Sequence, residues 1–217
     1  EFFDLCWADS VTFFKDFLQA EGQDCKDVKQ SKWTKHEHFG NARDVNFTSP
    51  VKTGFRGVKK KASCHQTQSY RFADKNYLIL ETSQVMTSDI PYIDYFRVEM
   101  RWDVRMASEG EGCVVSIMVD VPFVRKTVFR NRIEANVRSE TTKQYTTYLQ
   151  LANEKCDEHK QRLDQEDSMA PAVLTRSPTL PTAETKPPVP QPRVSIKGIH
   201  INGFEDSGSG TNMKSKG

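Results

Sequence analysis

The chain reads as an α+β protein, with several strands in succession followed by one long amphipathic helix. Two stretches carry that reading. Residues 96–105 alternate without a break, Phe96, Val98, Met100, Trp102 and Val104 in one phase and Arg97, Glu99, Arg101, Asp103 and Arg105 in the other. A period of two belongs to a strand with one apolar and one wet face. Residues 124–163 contain neither Pro nor Gly. There Val128, Phe129, Ile133, Val137, Thr141, Tyr145, Leu149 and Ala152 form one stripe at helical spacing, with Arg, Lys and Glu opposite.

In chain order, Asp9-Ser10 supplies a helix N-cap. Phe13, Phe14, Phe17 and Leu18 follow at helical spacing, and Gly22 ends the helix. Strands are predicted at 43–48, 63–72, 77–87, 95–106 and 113–121, with Asp74-Lys75-Asn76 and residues 108–112 as hairpin turns. Between the third and fourth of these lies Ser88-Asp89-Ile90-Pro91-Tyr92-Ile93-Asp94. Pro91 has no N–H to donate to a ladder, so this is a turn, and Asp89 and Asp94 are expected to cap its backbone N–H groups.

The 217 residues suffice for one sizeable domain and an appendage. The composition breaks near residue 163. Seven of the ten prolines fall between Pro171 and Pro192, and Phe204 is the one aromatic residue after the break. The domain is therefore expected over 1–163, and 164–217 as a Pro-rich linker without fixed structure, Pro187-Pro188-Val189-Pro190 acting as a stiff spacer. Residues 195–201 read as a short extended patch. The chain opens on Glu1-Phe2-Phe3-Asp4, which suggests a piece of a longer protein. Net charge +2, pI about 8.3 and mean hydropathy −0.66 do not describe a nucleic-acid binder. The longest charge-free apolar run, residues 113–119, falls far short of the ~20 residues that span a bilayer as a helix. Five widely spaced cysteines, with no C-x-x-C, suggest reduced and mostly buried thiols.

Four segments resemble motifs of one family. Ser88-Asp89-Ile90-Pro91-Tyr92-Ile93-Asp94-Tyr95-Phe96 resembles the D-V-P-Y-x-D-Y-F signature of VASt domains. These are the StART-like lipid-binding domains of GRAM-containing plant proteins and of the Aster/Lam sterol transporters. Residues 2–10 are similar to the family's opening F-x-x-L-F-x-D-S, and Gly40-Asn41-Ala42-Arg43-Asp44-Val45-Asn46-Phe47 to its G-x-x-R-x-V-x-F. Gln66-Thr67-Gln68-Ser69-Tyr70 is similar to its E-T-Q-x-Y, with Gln66 in place of the acid. The resemblance covers roughly residues 1–160 and lies closer to the plant branch. It implies the StART-like helix-grip fold, a curved antiparallel sheet around a long C-terminal helix with an N-terminal helix. Periodicity alone implies only a sheet packed on a helix.

The same resemblance implies a non-enzymatic module that binds a lipid, with sterol the leading cargo. The inward phase of the strands and the helix stripe then supply the cavity wall: Phe47, Tyr70, Tyr92, Tyr95, Phe96, Val98, Met100, Trp102, Val115, Ile117, Val119, Phe129, Ile133 and Val137. On patterning alone, these residues describe an ordinary core, and it is the resemblance that makes the face as a whole a cavity wall. Residues 49–61 interleave apolar Val51, Phe55 and Val58 with Lys52, Arg56, Lys59, Lys60 and Lys61 around two glycines. That mixture suits contact with an anionic membrane surface, and the resemblance implies a lid there. The implied setting is the cytosolic face of membranes, the endoplasmic reticulum or its contacts with the plasma membrane, with an isolated domain that is monomeric. The alternative is a ligand-free regulatory module in cell-death or immune signalling.

No nucleophile elbow, P-loop or dinucleotide fingerprint occurs, so no catalytic residue and no cofactor is expected. His36-Glu37-His38 reads as a surface cluster rather than a metal site, because a strand sends Glu37 to the opposite face from the two imidazoles.

Overall fold

In a computed structural model, residues 1–52, 59–107, 112–169 and 196–203 are described. Two short helices, α1 (Phe2–Cys6) and α2 (Phe13–Gln19), come first. Strands β1 (Lys26–Gln30), β2 (Thr34–His36), β3 (Gly40–Lys52), β4 (Lys59–Asp74), β5 (Tyr77–Thr87), β6 (Val98–Met106) and β7 (Cys113–Asp120) follow. The long helix α3 (Arg130–Met169) and strand β8 (Ile196–Gly203) complete the described chain. One sheet runs in the order β1-β3-β4-β5-β6-β7-β8, with β2 also on β3. The first seven strands pair antiparallel, and β8 joins β7 in parallel. This is the helix-grip arrangement: a curved antiparallel sheet, short N-terminal helices and a long C-terminal helix.

Register explains which side chains share the inner face. The rows are Phe47–Cys64–Met86, Val45–Gln66–Gln84–Val98, Arg43–Gln68–Thr82–Met100–Val119 and Tyr70–Leu80–Trp102–Ile117. Burial alternates along β6 and β7 with the period read from sequence. The other face carries the mixed-charge ladder, with Arg101 on Glu81 (3.7 Å) and Asp103 (3.2 Å), and Arg97 on Glu99 (3.6 Å). A groove of about 620 Å³ crosses this outer face past Thr67, Ser83 and Met118. Its three acids, Glu81, Glu99 and Asp120, are all ion-paired.

Several boundaries differ from the sequence reading. Asp9 does not cap the helix. The cap of α2 is Thr12, whose hydroxyl donates to Asp16 at 2.6 Å. The Asp9 carboxylate instead accepts the Trp33 backbone N–H at 3.2 Å, tying the N-terminus to the β1–β2 connection. The helix α3 starts at Arg130, not near residue 124. Thr127 Oγ1 accepts the Phe129 N–H ahead of it, and Val128, placed on the stripe by spacing, is 93% exposed. Absence of Pro and Gly permits a helix but does not start one. At its other end α3 continues past residue 163 to Met169.

Residues 196–203, which overlap the extended patch read at 195–201 inside a stretch otherwise expected to lack fixed structure, form β8. Composition averaged over a long tail dilutes the few isoleucines that a single edge strand needs. Prolines 187–190, the loop tip with Phe55, Arg56 and Val58, and residues 108–111 lie outside the described residues. Strands β1 and β2 had no clear pattern in the sequence. They are short, polar and half-exposed, and they are held by β3. At the head of β3, Gly40 adopts φ +78°, and a Cβ there would lie 2.7 Å from the Tyr70 carbonyl oxygen. Only glycine meets both conditions.

Candidate ligand-binding site

The inner face has two unlike halves. Under Trp102 it is filled by rings. Trp102 lies 5.4 Å from Trp7 and 5.1 and 5.5 Å from Tyr145 and Tyr148, and Tyr148 packs edge-on against Phe13 and Phe17. Helices α1, α2 and α3 each contribute to this block. Burial pushes the Tyr145 hydroxyl pKa up to about 12 and raises that of Tyr148 as well. Towards Val98 the rings give way to smaller side chains, with Met86, Phe123, Ile133 and Val137 partly buried against the core.

A polar chain crosses the otherwise apolar face. Arg43 Nε donates to Gln68 Oε1 (2.8 Å), Gln68 Nε2 to Gln66 Oε1 (2.6 Å) and Gln66 Nε2 to Gln84 Oε1 (3.3 Å). Five buried polar atoms have no hydrogen-bond partner among the described residues: Thr82 Oγ1 and Trp102 Nε1 beside this chain, Arg43 Nη2 at its head, and Trp7 Nε1 and Gln30 Oε1. Register puts Thr82 beside Gln68, with Trp102 diagonal to it across the β5–β6 pair. A buried polar group left alone costs ~1–3 kcal/mol, so such pairs point to a missing partner.

The arginine at the head of the chain is a structural bolt. Arg43 Nη1 donates to the Trp7 carbonyl at 3.0 Å, its guanidinium lies 4.1 Å from the Trp33 ring centroid, and Asp9 stands 4.0 Å away. Burial pulls its pKa down to about 10, with Tyr148 and Asp9 acting against the shift. At that value it remains a cation at neutral pH.

Sheet order brings four segments to one end of the molecule: the β3–β4 arm, the 88–96 turn, the β7–α3 connection and the C-terminal end of β8. Lys60 Nζ reaches Asp89 at 3.0 Å and Arg125 Nη1 reaches Asp94 at 2.9 Å. The two aspartates were expected to cap the turn's own backbone. They hold cations of its neighbours instead, while Ser88 Oγ accepts the Ile90 N–H. The Lys60 ammonium keeps the exposed Asp89 carboxyl below its usual range. Tyr92 is held at φ +67°, a costly conformation for an aromatic residue, by ring contacts to Tyr95 (5.2 Å) and Phe129 (5.4 Å).

A family model described as VAD1 Analog of StAR-related lipid transfer domain (VASt) matches residues 1–140. The chain belongs to the VASt family. It is also 34% identical over 157 residues to Protein VASCULAR ASSOCIATED DEATH 1, chloroplastic, of Arabidopsis thaliana; the match covers 71% of this chain and 25% of that protein. The chain thus spans about a quarter of the relative's length. Proteins of this family carry a lipid-binding, StART-like fold, which the VASt motifs here serve in identifiable ways. Gly40 starts β3, Arg43 bolts α1 to the sheet, and Asp9 holds the β1–β2 connection.

The VASt domain distributes the expected wall residues unevenly. Phe47, Phe96, Val98, Met100, Trp102, Val115, Ile117 and Val119 are all buried and share one core. Ile133 and Val137 flank that core from α3. Tyr70 instead packs on Phe3 (4.3 Å) and Trp33 (4.7 Å), towards α1. Tyr92, Tyr95 and Phe129 gather where the 88–96 turn meets the β7–α3 connection. Of the expected lid, Val51 is half-buried on β3, Lys60 holds Asp89, Lys61 is exposed, and Lys52 and Lys59 end the two strands. Arg43, Gln66, Gln68, Thr82 and Gln84 were missed. The signal was present, since Gln66 and Gln68 share the phase of Cys64 and Tyr70 and had to point inward.

Proposed function

We propose that this VASt domain binds one lipid amphiphile, a sterol before other lipids, between the Val98–Met100 part of the sheet and the first turns of α3, and carries it between membranes. The observation that carries this reading is the polar chain with the two unpartnered atoms beside it. An apolar wall with a few converging polar groups suits a ligand with a large apolar body and one hydroxyl. Thr82 Oγ1 and Trp102 Nε1 supply an acceptor and a donor at the depth where that hydroxyl ends. Burying the apolar body gains ~25 cal/mol per Å² removed from water. The arm of residues 49–61 would act as lid on an anionic membrane, at the cytosolic face of the endoplasmic reticulum or its contact sites. Native mass spectrometry after incubation with vesicles of defined lipids tests the reading. A single retained lipid per chain is expected, and Thr82→Val should weaken retention of a hydroxylated lipid. A protein that leaves every vesicle empty refutes it.

A second reading has its own support. The ring block under Trp102 buries Trp7, Trp102 and Tyr148 to 1% exposure or less, as an ordinary core does, and the name of the Arabidopsis relative contains the word death. A ligand-free regulatory module would show the same block continued to Val98. The cargo experiment separates the two.

A further inference from the structure

We propose that the β7–α3 connection, residues 121–130, is a membrane-docking platform in its own right, and that it takes an anionic bilayer surface. Three independent features place it there. Its apolar side chains are displayed rather than buried: Val128 is 93% exposed, Val124 58% and Phe129 46%. They alternate with cations, for residues 121–133 contain Arg125, Lys126, Arg130 and Arg132 and no acidic residue. Lys126 and Arg132 have no ion-pair partner among the described residues, while Arg125 and Arg130 keep exposed contacts with Asp94 (2.9 Å) and Glu134 (3.9 Å). Exposed apolar tips between cations match the interfacial region of a bilayer, where apolar groups enter the headgroup boundary and ammonium and guanidinium groups meet anionic lipids.

The second feature is rigidity. A loop that only solvates itself has no need of a frame, yet this one is pinned. Val124 N–H donates to the Tyr95 carbonyl (2.8 Å), Arg97 N–H to the Pro122 carbonyl (3.0 Å), and Phe96 bridges Phe123. Phe129 rests on the strained Tyr92. Order before contact lowers the entropy lost on binding. The third is direction. β8 runs parallel to β7, with Gly203 beside Val119, so β8 ends on the side of the sheet that carries the platform. The basic arm base, Lys60 and Lys61, opens at this same end.

A platform so placed would hold this end of the molecule against the membrane. The proposal rests on the lipid-handling reading above, and the test separates their failures. The whole chain is sedimented with phosphatidylcholine vesicles, with and without phosphatidylserine, and loading is read in parallel by native mass spectrometry. Val128→Asp and Lys126→Glu change only exposed side chains and should fold as the parent does, which circular dichroism checks. Each lost cation should lower partitioning onto phosphatidylserine vesicles about five-fold at low salt, and charge reversal by more. Val128→Asp should lower partitioning onto both vesicle types, since it removes an inserting group. Lipid loading from detergent micelles should stay unchanged in both variants. Unchanged sedimentation of the variants overturns the platform, whatever the loading. Loss of loading together with sedimentation also overturns it, because the connection would then be part of the cargo site. A parent protein that sediments normally yet never loads keeps the platform and removes the cargo reading.

Discussion

Ile133→Trp is the substitution that decides whether the inner face is hollow near Val98. Ile133 is half-buried one turn into α3 and packs against the core beside Val137. Forcing an indole into a dense core costs ~1–3 kcal/mol. For a domain of this size, each kcal/mol moves Tm by roughly 2–4 °C. A packed site therefore predicts a loss of roughly 2–12 °C, whereas space that side chains leave unfilled should take the ring with a shift under about 2 °C. Leu149→Trp gives the comparison on the same helix. Leu149 is fully buried, in the part of α3 that meets the ring block, and has no such space, so it should show the full loss. Melting is followed by circular dichroism, and function by transfer of a fluorescent sterol between vesicles. The expected result is near-parental melting with transfer lost for Ile133→Trp, and marked destabilisation for Leu149→Trp. Equal destabilisation in both would refute the hollow and favour the packed module. Intact melting with intact transfer would refute the position of the pocket.

Three further outcomes follow from the packing. Arg43→Ala leaves Gln68 and the Trp7 carbonyl unpaired in the interior, and should cost ~3–5 kcal/mol in urea unfolding; Arg43→Lys should not rescue it, because lysine lacks the planar fork that serves both acceptors. Burial raises the thiols of Cys64 and Cys156 to about 12 and that of Cys113 to about 11, from an ordinary 9.0. Unfolding lets them ionise sooner, so their contribution to stability is complete below pH 9 and declines as pH rises above it. The folded protein should resist a thiol reagent at pH 8, and a prompt reaction of these thiols would contradict their burial. Ending the chain at residue 169 uncovers the edge of β7, and the β7 amides that bond β8 should exchange faster by hydrogen–deuterium measurement; unchanged exchange would show that β8 does not pair in solution.

Much of the architecture is written in short-range pattern. The alternation along β6 fixes a face because neighbouring residues of a strand must point apart, and the inward phase found in sequence is the buried one. The stripe from Ile133 to Ala152 meets the sheet because helical spacing gathers it on one side. The four VASt motifs are local in the same sense. Gly40, for example, is required by a backbone angle and one close carbonyl.

What local pattern left open depends on partners distant in the chain. The start of α3 is set by a turn pinned through Tyr95, and nothing between residues 124 and 130 announces it. Asp9, Asp89 and Asp94 all carry the side chain of a cap, yet each satisfies a group from another segment, because folding brings Trp33, Lys60 and Arg125 closer than their own helix or turn backbone requires. The polar chain from Arg43 to Gln84 exists only once β3, β4 and β5 are in register, since no two adjacent members of it lie on neighbouring residues. The division of the inner face into a ring-filled half and a largely aliphatic half is likewise a tertiary result. It depends on where α1 and α2 bring Trp7, Phe13 and Phe17 against Tyr148, a choice that packing of the whole chain makes and that no single segment encodes.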